Sequence, residues 1–233
     1  MESFQEKVTA LIPVRAGSVR IKNKNLRLIG GETLLARKIR ILKECSNVGD
    51  IIVASDSEKM LSIAEAMGVK TFKMEEKYAS STVVLNDAIH YLYSNMPGEH
   101  VMWVHVTSPL VKKETFEESI RTYFKKLKEG HDSLTTYTAI REYLWDENGP
   151  INYSRGHHPR SQDLKPYKKL NFAILIIPKK VAIEKKYYIG ENPYWFETSI
   201  EESVDIDNEI DLFMANALLV RESMRDVYLG DGS

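Results

Sequence analysis

Residues 11–25 read LIPVRAGSVRIKNKN, and the abrupt change of character inside that run constrains the chain more than any other feature. An apolar stretch over residues 8–14, rich in β-formers, breaks into a small-residue turn loaded with cations. Pro13 falls near the end of the stretch, where a missing N–H costs a strand least. Gly17 lets backbone N–H groups come close to a ligand, and Arg15, Arg20, Lys22 and Lys24 bring positive charge to the same loop. That is the layout of a phosphate-binding site, and its charge suits a triphosphate. A solvated turn in an ordinary α/β domain is the competing reading of the same four cations. The loop matches neither G-x-x-x-x-G-K-[ST] nor G-x-G-x-x-G, because only Gly17 precedes Gly30, so ATPase and Rossmann dehydrogenase readings lose weight.

Downstream, strand and helix signals alternate. Apolar residues recur at helical spacing over 34–42, residues 50–54 (DIIVA) form an apolar strand, and Ser55 or Ser57 is placed to cap a helix over 59–67 that Gly68 closes. Residues 69–72 predict a third strand and 83–93 a further helix, ended by Pro97 and Gly98. Residues 101–106 (VMWVHV) are apolar throughout, as a parallel strand covered on both faces requires, and they stop at Thr107-Ser108-Pro109. A helix over 114–127, a strand over 133–139, a strand over 171–178 and a final helix over 208–224 complete the pattern, which predicts a three-layer α/β sandwich with a mostly parallel sheet. Ligands of such sheets bind beyond the carboxyl ends of the strands, where Arg15, Asp56 and Thr107 fall. Residues 140–169 show neither period, and a compact domain keeps so long an irregular stretch for a reason, such as a wall of the active site or an arm packed on a second subunit.

At 233 residues the chain fits a single domain with a small extension over 140–170. Thirty-two Lys and Arg against 33 Asp and Glu give a net charge of −1, which argues against a general nucleic-acid or membrane-surface binder. The single cysteine, Cys45, excludes an internal disulfide framework and lies in a helical stretch, where a packed thiol is expected. The opening MESFQEK is too polar and acidic for a signal peptide, and no apolar run approaches a membrane span, so the cytoplasm is the expected compartment.

Ser203-Val204-Asp205-Ile206-Asp207 sets two carboxylates two residues apart just before the last helix, and in an extended segment both point to one side. Two such oxygens can hold Mg²⁺ while water and substrate phosphates complete its octahedron. A bland reading competes: Asp207 caps the helix, Asp205 is exposed, and Asp211 favours the helix dipole. His105, at the end of a buried strand, is either a satisfied structural residue or a substrate contact. His157 and His158 read as loop surface, and the aromatics Tyr187, Tyr188, Tyr194, Trp195 and Phe196 mostly as packing.

Taken together, these blocks resemble the acylneuraminate cytidylyltransferase family. Its N-terminal loop, R-x-G-S-K-G/R-I-x-x-K-N, is followed closely by Arg15 to Asn25. The resemblance continues through Ser55-Asp56, Thr107-Ser108-Pro109-Leu110, Asn171 in the strand the family writes N-G-A-I-Y-I, and Asp205-Ile206-Asp207. It implies a Rossmann-like fold of the nucleotide-diphospho-sugar transferase type, a homodimer, and coupling of CTP with a sugar acid to a CMP-sugar and pyrophosphate, with Mg²⁺. By resemblance Arg15, Lys24 and Asp207 carry the chemistry; Ala16, Gly17, Ser18, Arg20, Asn25 and Ser81 join Arg15 and Lys24 around the nucleotide. Asp205 and Asp207 hold the metal, while His105, Thr107, Ser108, Arg160, Gln162 and Asn171 face the acceptor, and 140–170 is the dimerisation region.

The chain also departs from that pattern. Val19 stands in place of the usual lysine, HVTSPLV replaces Q-P-T-S-P-L-R so that His105 takes the place of a glutamine, and no R-P precedes Tyr78-Ala79. These departures keep two alternatives open: a cytidylyltransferase with a phosphonate or phosphate acceptor, and a non-catalytic nucleotide-binding homologue. A glycosyltransferase is disfavoured because its D-x-D normally lies in mid-chain, before the acceptor region.

Overall fold

The computed structural model describes residues 6–17, 21–80 and 82–228. The first apolar run forms β1 (Val8–Pro13), buried along nearly its whole length. A short hairpin, β2 (Leu28–Ile29) with β3 (Glu32–Thr33), leads into α1 (Leu34–Glu44), which Thr33 caps by accepting from the Ala36 N–H at 3.1 Å. There follow β4 (Val48–Ser55), α2 (Glu58–Ala66), β5 (Lys70–Lys73), the single turn α3 (Glu76–Ala79), α4 (Leu85–Ser94), β6 (His100–Val104) and α5 (Lys113–Lys128). The C-terminal part adds β7 (Ser133–Ile140), the small pair β8 (Trp145–Asp146) and β9 (Gly149–Pro150), β10 (Tyr167–Pro178), α6 (Lys179–Lys185), β11 (Pro193–Glu197) and α7 (Glu209–Tyr228).

Seven strands make one sheet in the order β11-β7-β10-β6-β1-β4-β5. Only β10 runs against the others: it pairs antiparallel with β6 and β7, while β1 lies parallel to β4 and β6, β4 to β5, and β11 to β7. Alternate residues of β1 serve two cores, as a strand covered on both faces demands. Ala10 and Ile12 pack with apolar residues of α1, α2, α5 and α7 on one side, and Leu11 packs with those of α3, α4 and α6 on the other. The result is the expected three-layer sandwich. Among the described residues no helix is long and apolar enough to cross a membrane.

The structure corrects the sequence reading at several elements. The stretch 140–169 is not wholly irregular: it contains the β8–β9 pair and the start of β10, which pairs with β7 from Tyr167↔Ile140 onward. That end of β10 lacks an apolar signature because Lys168 and Lys169 are exposed there, with the Lys168 Nζ 4.8 Å from the Trp195 ring centroid and 5.3 Å from that of Tyr137. β11 escapes a periodic reading because it is an edge strand only five residues long, opened by the Pro193 that such a position tolerates. Cys45 is buried as expected, and burial pushes its thiol up to about 12.

Glu202 fastens the segment between β11 and α7. Its buried carboxylate accepts from the Lys112 N–H at 3.0 Å, the Thr115 hydroxyl at 2.5 Å and the Ser199 hydroxyl at 3.1 Å, tying that segment to the start of α5. Glu202→Ala strands these donors, and the loss expected is about 2–3 kcal/mol, measured as a lower urea midpoint with unchanged slope.

Candidate active site

Strand order reverses direction at β1. Later strands β4 and β5 lie on one side of it and β6 on the other, so the crevice beyond the β1 and β6 carboxyl ends is the topological switch point. The loop after β1 is pinned there by three contacts. The Asn25 amide donates to the Arg15 carbonyl at 3.1 Å, the Ala16 N–H donates to Asp56 Oδ1 at 2.9 Å, and the Arg15 guanidinium donates to the Ser80 carbonyl at 3.2 Å. Among the described residues, a Cβ at Gly17 would meet nothing within 4 Å.

Lys24 links this loop to the acidic pair. Its ammonium donates to the Ile206 carbonyl at 2.8 Å and lies 3.3 Å from Asp207 Oδ1. Asp207 does not cap α7. Asn208 does, its Oδ1 accepting from the Ile210 and Asp211 N–H groups at 2.9 and 3.1 Å, while Asp211 turns back to accept from the Asp207 and Asn208 N–H groups. The bland reading of the pair fails at that point, and the Asp207 carboxylate is turned to Lys24 instead. Asp205 is exposed, as the bland reading expected, yet desolvation by the surrounding protein, and then the neighbouring Asp207, hold its carboxyl above the ordinary value, against the Thr107 hydrogen bond and Lys24, which lower it. Ile206 between them is fully buried and donates its N–H to the Thr107 carbonyl at 2.8 Å, so the pair is fixed to the β6 end of the crevice.

Beside the loop a cavity of about 320 Å³ opens between Val14, Arg15, Tyr78, Val83, Trp103 and His105. At its inner wall His105 Nε2 and Trp103 Nε1 are buried and have no hydrogen-bond partner among the described residues. Burial, with Lys38 and Lys24 nearby, pushes His105 down to about 4, so the imidazole is neutral at pH 7. Lys38 lies wholly inside the protein beneath the same wall, where its ammonium donates to the Ser108 carbonyl at 2.7 Å and stands 5.0 Å from the Phe116 ring centroid.

A protein-family model described as cytidylyltransferase matches residues 9–230. The chain belongs to the cytidylyltransferase family. Membership makes it a CTP-dependent nucleotidyltransferase, the class the resemblance implied. Among family relatives, the CMP-N,N'-diacetyllegionaminic acid synthase of Legionella pneumophila is 28% identical over 91% of this chain and 96% of its own length. A pseudaminic acid cytidylyltransferase of Campylobacter jejuni is 27% identical over 89% and 94%. The N-acylneuraminate cytidylyltransferase A of Danio rerio is 25% identical over 92% of this chain, which spans 51% of that longer protein. In fold, the chain is similar to a CMP:2-keto-3-deoxy-manno-octonic acid synthetase solved with CTP, with a TM-score of 0.67, 15% identity, and coverage of 93% of this chain and 99% of that one.

The structure places the expected residues differently. Arg15, Ala16, Gly17, Lys24, Asn25, His105, Thr107, Asp205 and Asp207 gather at the switch point, with Asn25 buried under the loop rather than open to a ligand. Ser108 is also there but buried, offering its carbonyl to Lys38. Asn171 is buried as well, and both its amide hydrogens are taken, by Thr138 Oγ1 at 2.9 Å and Thr198 Oγ1 at 2.7 Å, so it shapes the wall rather than facing an acceptor. Arg160 pairs with Asp163 at 2.7 Å on the exposed arm, one residue before Ser161-Gln162. Ser18, Arg20 and Ser81, like Val19, lie outside the described residues. His157 and His158 are exposed, His158 stacking on Tyr143 at 4.5 Å. Sequence reasoning passed over Trp103, Lys38 and Asp211. The first two sit in ordinary apolar patterns, and Asp211 was credited only with a dipole effect.

Lys38 generates a pH prediction. Burial, and to a lesser degree Arg37, push its amine down to about 7, whereas in the unfolded chain it keeps its usual value near 10.5. Between those limits unfolding takes up a proton, so stability rises with pH from about 7 to 10.5. Urea midpoints measured at pH 7 and 9.5 are expected to show this rise in the unsubstituted protein, on the order of 2–3 kcal/mol, and to lose it in Lys38→Met.

Proposed function

We propose that the protein transfers the cytidylyl group of CTP to an acidic sugar, of the nonulosonic or keto-deoxy acid type, and releases pyrophosphate. The observation that carries this reading is the junction of Lys24 with the Asp205–Asp207 pair at the switch point, directly beside the cationic loop. The reading draws also on the relatives, whose names concern legionaminic, pseudaminic and N-acylneuraminic acids.

In this reading the acceptor hydroxyl attacks the α-phosphorus of CTP in line, and the protein works by positioning and charge stabilisation. Arg15 and Lys24 face the phosphates and stabilise charge on the departing pyrophosphate. Asp205 and Asp207 fit a Mg²⁺ ion: they are two carboxylates on one extended segment, one of them partly desolvated and repelled by the other, which an added dication relieves. When bound, that ion supplies charge neutralisation at the α-phosphate and lowers the pKa of the attacking hydroxyl. Neutral His105 lines the cavity and is suited to hydrogen bonding rather than to ion pairing.

The same reading includes a homodimer in the cytoplasm. The support for the dimer is the arm over 140–170, where Tyr143, Trp145 and Ile151 are exposed to 39%, 57% and 47% and Tyr143, Tyr153 and His158 pack ring against ring.

Asp207→Asn keeps the size of the side chain and removes its charge. Pyrophosphate release with Mg²⁺, CTP and an acidic nine-carbon sugar is expected to fall at least about a hundredfold, while the urea midpoint moves by less than about 0.5 kcal/mol equivalent. Turnover within threefold of the unsubstituted protein rules out the role given to the acidic pair.

A further inference from the structure

Phe172 has a backbone conformation that its side chain does not favour. Its φ is +54°, in the left-handed region that a bulky residue rarely enters and that glycine enters freely. The N-G-A-I-Y-I pattern quoted above carries glycine at this position, and here Phe172 stands there. Such a residue persists only where its surroundings over-determine it, and those surroundings are visible.

On the β7 side the register of β10 jumps from Leu170↔Tyr137 to Leu175↔Thr135, so residues 171–174 bulge against a single partner position. Side chains lock the bulge. Asn171 donates to Thr138 and Thr198 and accepts from the Ala173 N–H at 3.2 Å, and Thr136 Oγ1 accepts from the Ile174 N–H at 3.0 Å. These bonds involve the backbone and neighbours of Phe172, not its ring, so they would hold a glycine equally well.

The ring packs against His105, which lines the cavity, and against Tyr188. Ile174 pairs with Val104, the last residue of β6, so Phe172 lies beyond the carboxyl end of the parallel strands. It meets His105 edge to face at 6.4 Å and Tyr188 edge to face at 6.2 Å. His105 lines the cavity and carries the unpartnered Nε2.

We propose that Phe172 is a specificity-determining residue of the acceptor side: its ring closes the space next to His105 and limits the size of the acceptor substituent placed there. The proposal rests on the reading that His105 faces the acceptor. It names the acceptor as an acidic sugar whose substituent next to His105 is small, a hydroxyl or short acylamido group rather than an extended one.

The test compares the unsubstituted protein with Phe172→Gly and Phe172→Ala, using CTP, Mg²⁺ and acidic nine-carbon sugars that differ only in one substituent: hydroxyl, acetamido or a longer acylamido. Both substitutions remove the ring, but only glycine accepts the backbone. In both variants kcat/KM for the longest substituent, relative to the shortest, is expected to rise at least tenfold, with the KM for CTP within twofold. Phe172→Gly is expected to melt above Phe172→Ala, and it carries the test alone if the alanine variant does not fold. An unchanged substituent ratio overturns the proposal while leaving cytidylyl transfer standing. A rise confined to the KM for CTP overturns it too, placing the ring at the nucleotide. Absence of turnover in the unsubstituted protein with every acceptor overturns the underlying reading and the proposal with it.

Discussion

Lys24 reaches across 182 residues of sequence to the Ile206 carbonyl, and the site is organised around that contact. The loop after β1 and the acidic segment before α7 belong to opposite ends of the chain, and each is polar backbone at the edge of an apolar core. An ammonium with three donors can join them because it binds a carbonyl and a carboxylate at once. The Lys24 side chain is 17% exposed and that of Asp207 39%, so water still screens their ion pair, and the bond to the Ile206 carbonyl joins the two segments as well.

The local chemistry of the α7 start decides whether those carboxylates are available. A helix needs its first N–H groups satisfied, and an aspartate just before it is the usual donor of that service. Here Asn208 caps the helix and Asp211 takes the Asp207 and Asn208 N–H groups. The division of labour lets Asp207 point at Lys24 rather than at its own helix.

Much of this was legible in the residues because the signals were local. The break after Pro13, the run VMWVHV and the D-x-D each announce themselves within a few positions, and the alternation of elements carries the three-layer sandwich. What escaped was decided by tertiary placement. β10 begins at Tyr167 rather than Asn171 because Lys168 can lie over Trp195 and Tyr137 on an exposed part of the sheet, and no periodicity encodes that. The role given to Asn171 failed for a similar reason: an asparagine near a site reads the same whether its amide faces a ligand or two buried threonines. The exchange of roles between Asp207, Asn208 and Asp211 needed coordinates, since all three can cap a helix.

The wall formed by β6 shows how a buried histidine can stay useful. Lys38 is sealed beneath the Thr107-Ser108 turn, and with Lys24 it sets positive potential behind His105. Together with burial this keeps the imidazole neutral, and a neutral ring has one donor and one acceptor nitrogen where an imidazolium has two donors. A glutamine amide also offers one acceptor and donors, so His105 preserves hydrogen-bonding ability at the position where the related pattern carries glutamine. It changes the shape of the surface instead, from a flexible amide to a flat ring that Phe172 meets edge-on. Two of the departures from the family pattern, His105 and Phe172, therefore bear on the shape and rigidity of the wall beside the cavity.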